Sequence, residues 1–111
     1  MCPLHTQSCA PCMGGVPPLP ADKIRSFLKE LDGWTVENNH HLAKTFRFPD
    51  FRAALECVNQ IGEVAEAEGH HPDLHLSWGL VRVEIWTHKI DGLTESDFVL
   101  AAKIDKLTAD H

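Results

Sequence analysis

Apolar residues along this 111-residue chain switch repeatedly between a helical and an extended period, and that alternation leaves few folds open. Ile24, Phe27, Leu28 and Leu31 recur at i, i+3, i+4 and i+7, the spacing of one helical face. Gly33 follows where a left-handed cap would stop that helix. Trp34 and Val36 then alternate with polar neighbours, and Leu42, Lys44 and Phe46 alternate with Ala43, Thr45 and Arg47. The turn-forming stretch Glu37-Asn38-Asn39-His40 between them predicts a hairpin. Pro49-Asp50 opens a second helix, with Asp50 as N-cap. Its buried stripe is read as Phe51, Ala54, Leu55, Val58, Ile61 and Ala65, and it ends near Gly69. A second hairpin follows, with Leu74, Leu76 and Trp78 alternating against His75 and Ser77, and Gly79 at the reversal. In its return strand Val81, Val83 and Ile85 face one way, while Arg82, Glu84, Trp86 and His88 face the other; Gly92 closes the strand. Thr94 to about Ala109 makes a last helix with Phe98, Ala101, Ile104 and Leu107 inward. The expectation is an α+β domain over residues 21–111. It has the order α-β-β-α-β-β-α and a four-stranded antiparallel sheet with helices packed on one face.

Residues 1–20 read as an irregular N-terminal arm, because Gly14-Gly15 and Pro17-Pro18-Leu19-Pro20 break both periods. The arm carries a CxxC, Cys9-Ala10-Pro11-Cys12, and with Cys2 and His5 it offers four soft ligands for zinc. A single CxxC is weak evidence and the spans are short for closed tetrahedral ligation. The competing reading is an arm that packs on itself or on a neighbouring subunit. Of the four cysteines three lie in the arm and Cys57 lies in a helix, which is not the scatter of a secreted disulfide scaffold. The net charge of −6, with no basic stripe among the 10 Lys and Arg, argues against nucleic acid. No apolar run approaches the ~20 residues that span a bilayer. The N-terminus lacks a charged-then-apolar pattern, so the expected location is cytoplasmic.

Chemistry concentrates at His70-His71-Pro72 and at His88. Imidazole exchanges protons near neutrality and also ligates metals, so three of them around one cleft suggest either acid–base work or a metal site. Glu66 lies one turn before His70 if the helix persists, Gly69 frees the backbone to turn, and Pro72 holds the exit extended. His88 returns to the same junction at the far end of the second hairpin. Each residue has a plainer reading. His70 and His71 suit a helix C-terminus, Glu66 a solvated position, and Trp78 an aromatic core. Asp97 completes a capping box, Thr94-Glu95-Ser96-Asp97, and is read chiefly as structural, shaping the edge of the site at most. His75 is expected to face solvent or a partner subunit. His5, His40, His41 and His111 are read as turn or terminal residues without chemistry. An adjacent His pair has poor geometry for one ion, which disfavours a metallohydrolase, so no metal is assigned to the histidine site.

Together, Glu66, His70-His71-Pro72, Trp78, His88 and Asp97 at these spacings resemble the signature of the pterin-4a-carbinolamine dehydratases. So do the flanking stretches Glu63 to Gly69 and Gly92 to Phe98. The resemblance spans roughly residues 22–107 and several residue types at fixed spacing, which makes it far more specific than a lone His pair. It implies the same α-β-β-α-β-β-α fold and a homodimer or homotetramer. The implied reaction is dehydration of 4a-hydroxytetrahydrobiopterin to the quinonoid dihydropterin, in tetrahydropterin recycling linked to an aromatic amino acid hydroxylase. It further implies that His70 and His88 form the acid–base pair and that His71 orients the substrate. Which histidine donates and which accepts stays open. Glu66 would anchor the pterin's guanidine-like edge or tune His70, with Trp78 and Asp97 at the substrate's margin. Pterin is then the substrate, and no cofactor is implied. Relatives on the same scaffold serve as RuBisCO assembly factors or transcriptional coactivators, so a non-catalytic role is the alternative.

Overall fold

A computed structural model describes residues 18–108; the arm with Cys2, His5, Cys9 and Cys12 lies outside them. The element order is the expected one. Helix α1 (Ala21–Leu28) is followed by β1 (Thr35–Glu37), β2 (His41–Arg47), α2 (Phe51–Glu68), β3 (Asp73–Ser77), β4 (Leu80–Ile85) and α3 (Glu95–Thr108). The strands form one antiparallel sheet in the order β1-β2-β4-β3. Both hairpins therefore keep their partners, and β2 and β4 meet in the middle. Leu42 pairs with Ile85 and Phe46 with Val81, which sends the Val81, Val83 and Ile85 side chains to the helical face, where they are fully buried. Period-2 alternation puts Glu37, His41, Arg82, Glu84, Asp73 and His75 on the opposite, open face.

Several local expectations are corrected. Helix α1 stops at Leu28, not at Gly33. Short i→i−3 bonds from Glu30 and Leu31 tighten the chain, and Gly33 makes its left-handed turn (φ 81°) just before β1. The inward stripe of α2 is Ala54, Cys57, Ile61 and Ala65, while Phe51 and Leu55 are exposed. The apolar positions of α2 are wider than one stripe, so periodicity alone does not say which edge meets the sheet. Helix α3 is buried well beyond one face, from Ser96 to Ala102 and at Ile104, because it lies against both α2 and α1. Phe98 meets Phe27 of α1 at 5.3 Å between ring centres, and Asp105 reaches Trp34 Nε1 and Lys44 Nζ, each at 2.8 Å. Gly79 does not supply a positive φ. A Cβ there would stand 2.8 Å from the Phe48 carbonyl oxygen, so close approach is what requires glycine.

Candidate active site

The end of α2 sets the site. Asp50 caps the helix start by accepting from Ala53 N, and Gly69 ends it in the left-handed region (φ 66°). The amides of Gly69 and His70 both return to the Ala65 carbonyl, so the chain reverses within two residues. Consecutive histidines then part company. His70 turns inward and is 8% exposed, while His71 remains in solvent.

His70 Nε2 lies 2.6 Å from Oδ1 of Asp97, whose side chain is wholly buried. The other oxygen of Asp97 accepts from Thr94 N at 2.7 Å and Thr87 Oγ1 at 2.9 Å. Asp97 is thus the capping-box residue read from the sequence and, with its second oxygen, the carboxylate that holds His70. The capping motif is local; the contact across 27 residues is not, so no sequence spacing signals it. Because a carboxylate only accepts, His70 donates through Nε2, so in the neutral ring the lone pair is on Nδ1. A charge-assisted bond of this length in a buried setting holds the ring rigidly.

His88 does not continue β4, as the alternation suggests. The strand ends at Ile85, and His88 sits in a turn closed by Thr87 N to Gly92 O at 2.9 Å, with Asp91 at φ 55°. Its ring stacks on Trp86 at 4.3 Å and 17°, and its Nε2 is 3.9 Å from Asp73 Oδ1. Asp73 lies two residues beyond His71, and Thr87 bonds to the same Asp97 that holds His70. Two acidic residues therefore tie the His88 turn to the His70-His71 junction. Glu66 pairs with His71 (3.1 Å) rather than with His70. Trp78 is 68% exposed in the two-residue turn between β3 and β4, so the expectation of a buried core aromatic is overturned. Trp86, which the sequence marks only as a strand residue, is the aromatic stacked on His88, and its ring also lies 5.4 Å from that of His40 and 5.7 Å from that of His41. A cavity of about 450 Å³ lies elsewhere, lined by Lys44, Arg47 and Asp105 among others. It does not contain the histidines, and Lys44 and Asp105 already neutralise each other there.

A buried carboxylate–imidazole pair at the end of α2, with exposed His71 following it and exposed His88 in the turn after β4, marks a small α+β protein with one antiparallel sheet backed by helices. The profile of the Pterin 4 alpha carbinolamine dehydratase family matches residues 17–107, and the chain belongs to that family. A Rickettsia bellii protein provisionally named pterin-4-alpha-carbinolamine dehydratase is 57% identical, covering 96% of this chain and 95% of its own. One of the same provisional name from Rubrobacter xylanophilus is 51% identical over 96% of this chain and all of its own. Among solved structures, the transcriptional coactivator/pterin dehydratase from Brucella melitensis superposes with a TM-score of 0.76 at 31% identity, covering 81% of this chain and 97% of that one. A pterin dehydratase-like protein identified as a RuBisCO assembly factor in the alpha-carboxysome shares the fold at 19% identity, with a TM-score of 0.59 over 68% of this chain and 89% of its own. Among the described residues no helix is long and apolar enough to cross a membrane.

Proposed function

We propose that this protein is a hydro-lyase that dehydrates 4a-hydroxytetrahydropterin to the quinonoid dihydropterin and water. The observation that carries the reading is the buried His70–Asp97 pair, with His71 following it in the chain and His88 3.9 Å from Asp73 just beyond. The 4a-hydroxyl leaves as water only if it gains a proton as its bond to C4a breaks. The N5 proton must depart as the C4a–N5 double bond forms. One proton is taken and one is given, so the oxidation states balance with no redox cofactor. A positioned acid or base contributes ~10²–10⁴-fold to such a step. His70, with its tautomer set by Asp97, and His88, steadied by Trp86, form the acid–base pair. His71, held by Glu66 in solvent, orients the substrate. Trp78 is too exposed in one chain to wall a pocket and serves at the rim.

A rigid buried carboxylate–imidazole pair is not needed by a passive scaffold, and this favours catalysis over an assembly or coactivator role. Stopped-flow decay of enzymatically generated 4a-carbinolamine tests it. His70→Ala and His88→Ala should each lower the catalysed rate ~10²-fold or more, and His71→Ala should chiefly raise KM. Wild-type rates in both of the first two variants refute the assignment. The exposed Phe51 and Leu55 on α2 are suited to association of copies, and a homodimer or homotetramer is the assembly we propose. The same activity, placed beside an aromatic amino acid hydroxylase in the cytoplasm, would recycle tetrahydrobiopterin.

A further inference from the structure

The open face of the sheet holds a second cluster that the dehydration does not use. Glu37 at the end of β1 pairs across the strands with His41 at the start of β2, and Glu84 of β4 pairs with Ala43. Ala43 is small, which leaves room for the Glu84 side chain to reach toward His41. His41 Nε2 stands 3.0 Å from Glu37 Oε2 and 3.4 Å from Glu84 Oε2. Among the described residues this trio forms a group of potential ligands whose donor atoms all lie within 4.8 Å of one another.

His41 Nε2 thus faces one oxygen of each carboxylate, while its Nδ1 lies 3.1 Å from His40 Nδ1, and His40 Nε2 lies 2.7 Å from Asp91 Oδ1. The imidazole is therefore held from its far side with its Nε2 edge turned to the two carboxylates. The outer oxygens are already committed: Glu84 Oε1 accepts from His75 at 3.0 Å, and Glu37 Oε1 accepts from Arg82 at 3.2 Å. Such outer partners orient ligands toward a metal.

We propose that Glu37, His41 and Glu84 form a binding site for a borderline divalent cation of the zinc type. One imidazole and two carboxylates suit zinc, with bonds of ~2.0–2.2 Å, and tetrahedral ligand atoms then stand ~3.4 Å apart. The His41–Glu37 and His41–Glu84 separations of 3.0 and 3.4 Å are near that spacing, and all three donor atoms lie within 4.8 Å of one another. His41 and Glu84 are largely shielded while Glu37 is more open, so water completes the coordination. Arg82 Nη2, 3.7 Å from Glu84 Oε2, opposes the ion and limits its affinity. The ion would link β1, β2 and β4 across the open face.

Isothermal titration of the chelator-free full chain with Zn²⁺ tests this, comparing wild type with His41→Gln, Glu84→Gln and the double variant Cys9→Ser/Cys12→Ser. The expected result is a binding equivalent that weakens at least tenfold in both His41→Gln and Glu84→Gln and survives in the cysteine variant. Far-UV circular dichroism checks folding, and the isosteric Glu84→Gln keeps an acceptor for His75. Absence of Zn²⁺ binding to wild type, binding in the two ligand variants equal to wild type, or loss in the cysteine variant instead would each overturn the proposal. Loss in the cysteine variant would place the metal in the arm.

Discussion

Replacing Asp97 by asparagine separates its two duties. The new side chain can keep its amide oxygen toward Thr94 N and Thr87 Oγ1, where Asp97 Oδ2 now accepts at 2.7 and 2.9 Å. Its NH₂ then faces His70 Nε2, which must become the acceptor, so the imidazole changes tautomer without leaving its place. Hydrogen bonds to a charged group are each worth about 1.5–3 kcal/mol, and neutral replacements about half that. Asp97→Asn should therefore cost about 2–4.5 kcal/mol of stability, for the three bonds weaken together but none is lost. Asp97→Ala leaves buried donors without partners and should cost about 3–5 kcal/mol. Urea denaturation measures both. In stopped-flow at a temperature where the asparagine variant is fully folded, kcat should fall ~10²-fold with KM little changed, because the lost step is proton transfer. A kcat within about threefold of wild type alongside the expected loss of stability would show that Asp97 only caps α3, and the acid–base role of His70 would fall with it.

Gly79→Ala should destabilise by about 1–3 kcal/mol, read as a lower urea midpoint, because its Cβ meets the Phe48 carbonyl at 2.8 Å and backbone must shift; an unchanged midpoint counts against that contact. Cys57 is fully buried and burial pushes its thiol up, so pulsed alkylation with peptide mapping should leave it unmodified until the protein unfolds. Glu37 is held below the usual 4.5 by its hydrogen bond from Arg82 and then by His41. Its folded value lies under its unfolded one, so its contribution is present above 4.5 and disappears as pH falls through the depressed value. The stability difference between wild type and Glu37→Gln should accordingly shrink on acidification; a gap that widens contradicts the sign.

Much of the architecture is legible in the sequence because burial imposes a period. Strands β1 to β4 are visible as alternation, and α2 is bounded by an Asp cap at its start and a left-handed Gly at its end. The errors share one cause. Periodicity shows that residues are apolar but not what they meet, so Phe51, Leu55 and Trp78 read as inward although they are exposed. The reach of β4 is overestimated for a similar reason. Alternation persists through His88, while Thr87 and Gly92 bond to each other and bend the chain away from the sheet.

From sequence alone come the order of elements, the junction where paired histidines leave a helix, and the residue types suited to moving protons. These are local properties, carried by spacing and by the backbone freedom of particular residues such as Gly69. Only the folded chain decided that His70 and His71 have different environments, that Asp97 serves both a cap and an imidazole, and that His41 points between two carboxylates. The contacts that settle these points join residues far apart in the chain. They exist because sheet register and helix packing bring distant side chains within hydrogen-bond range.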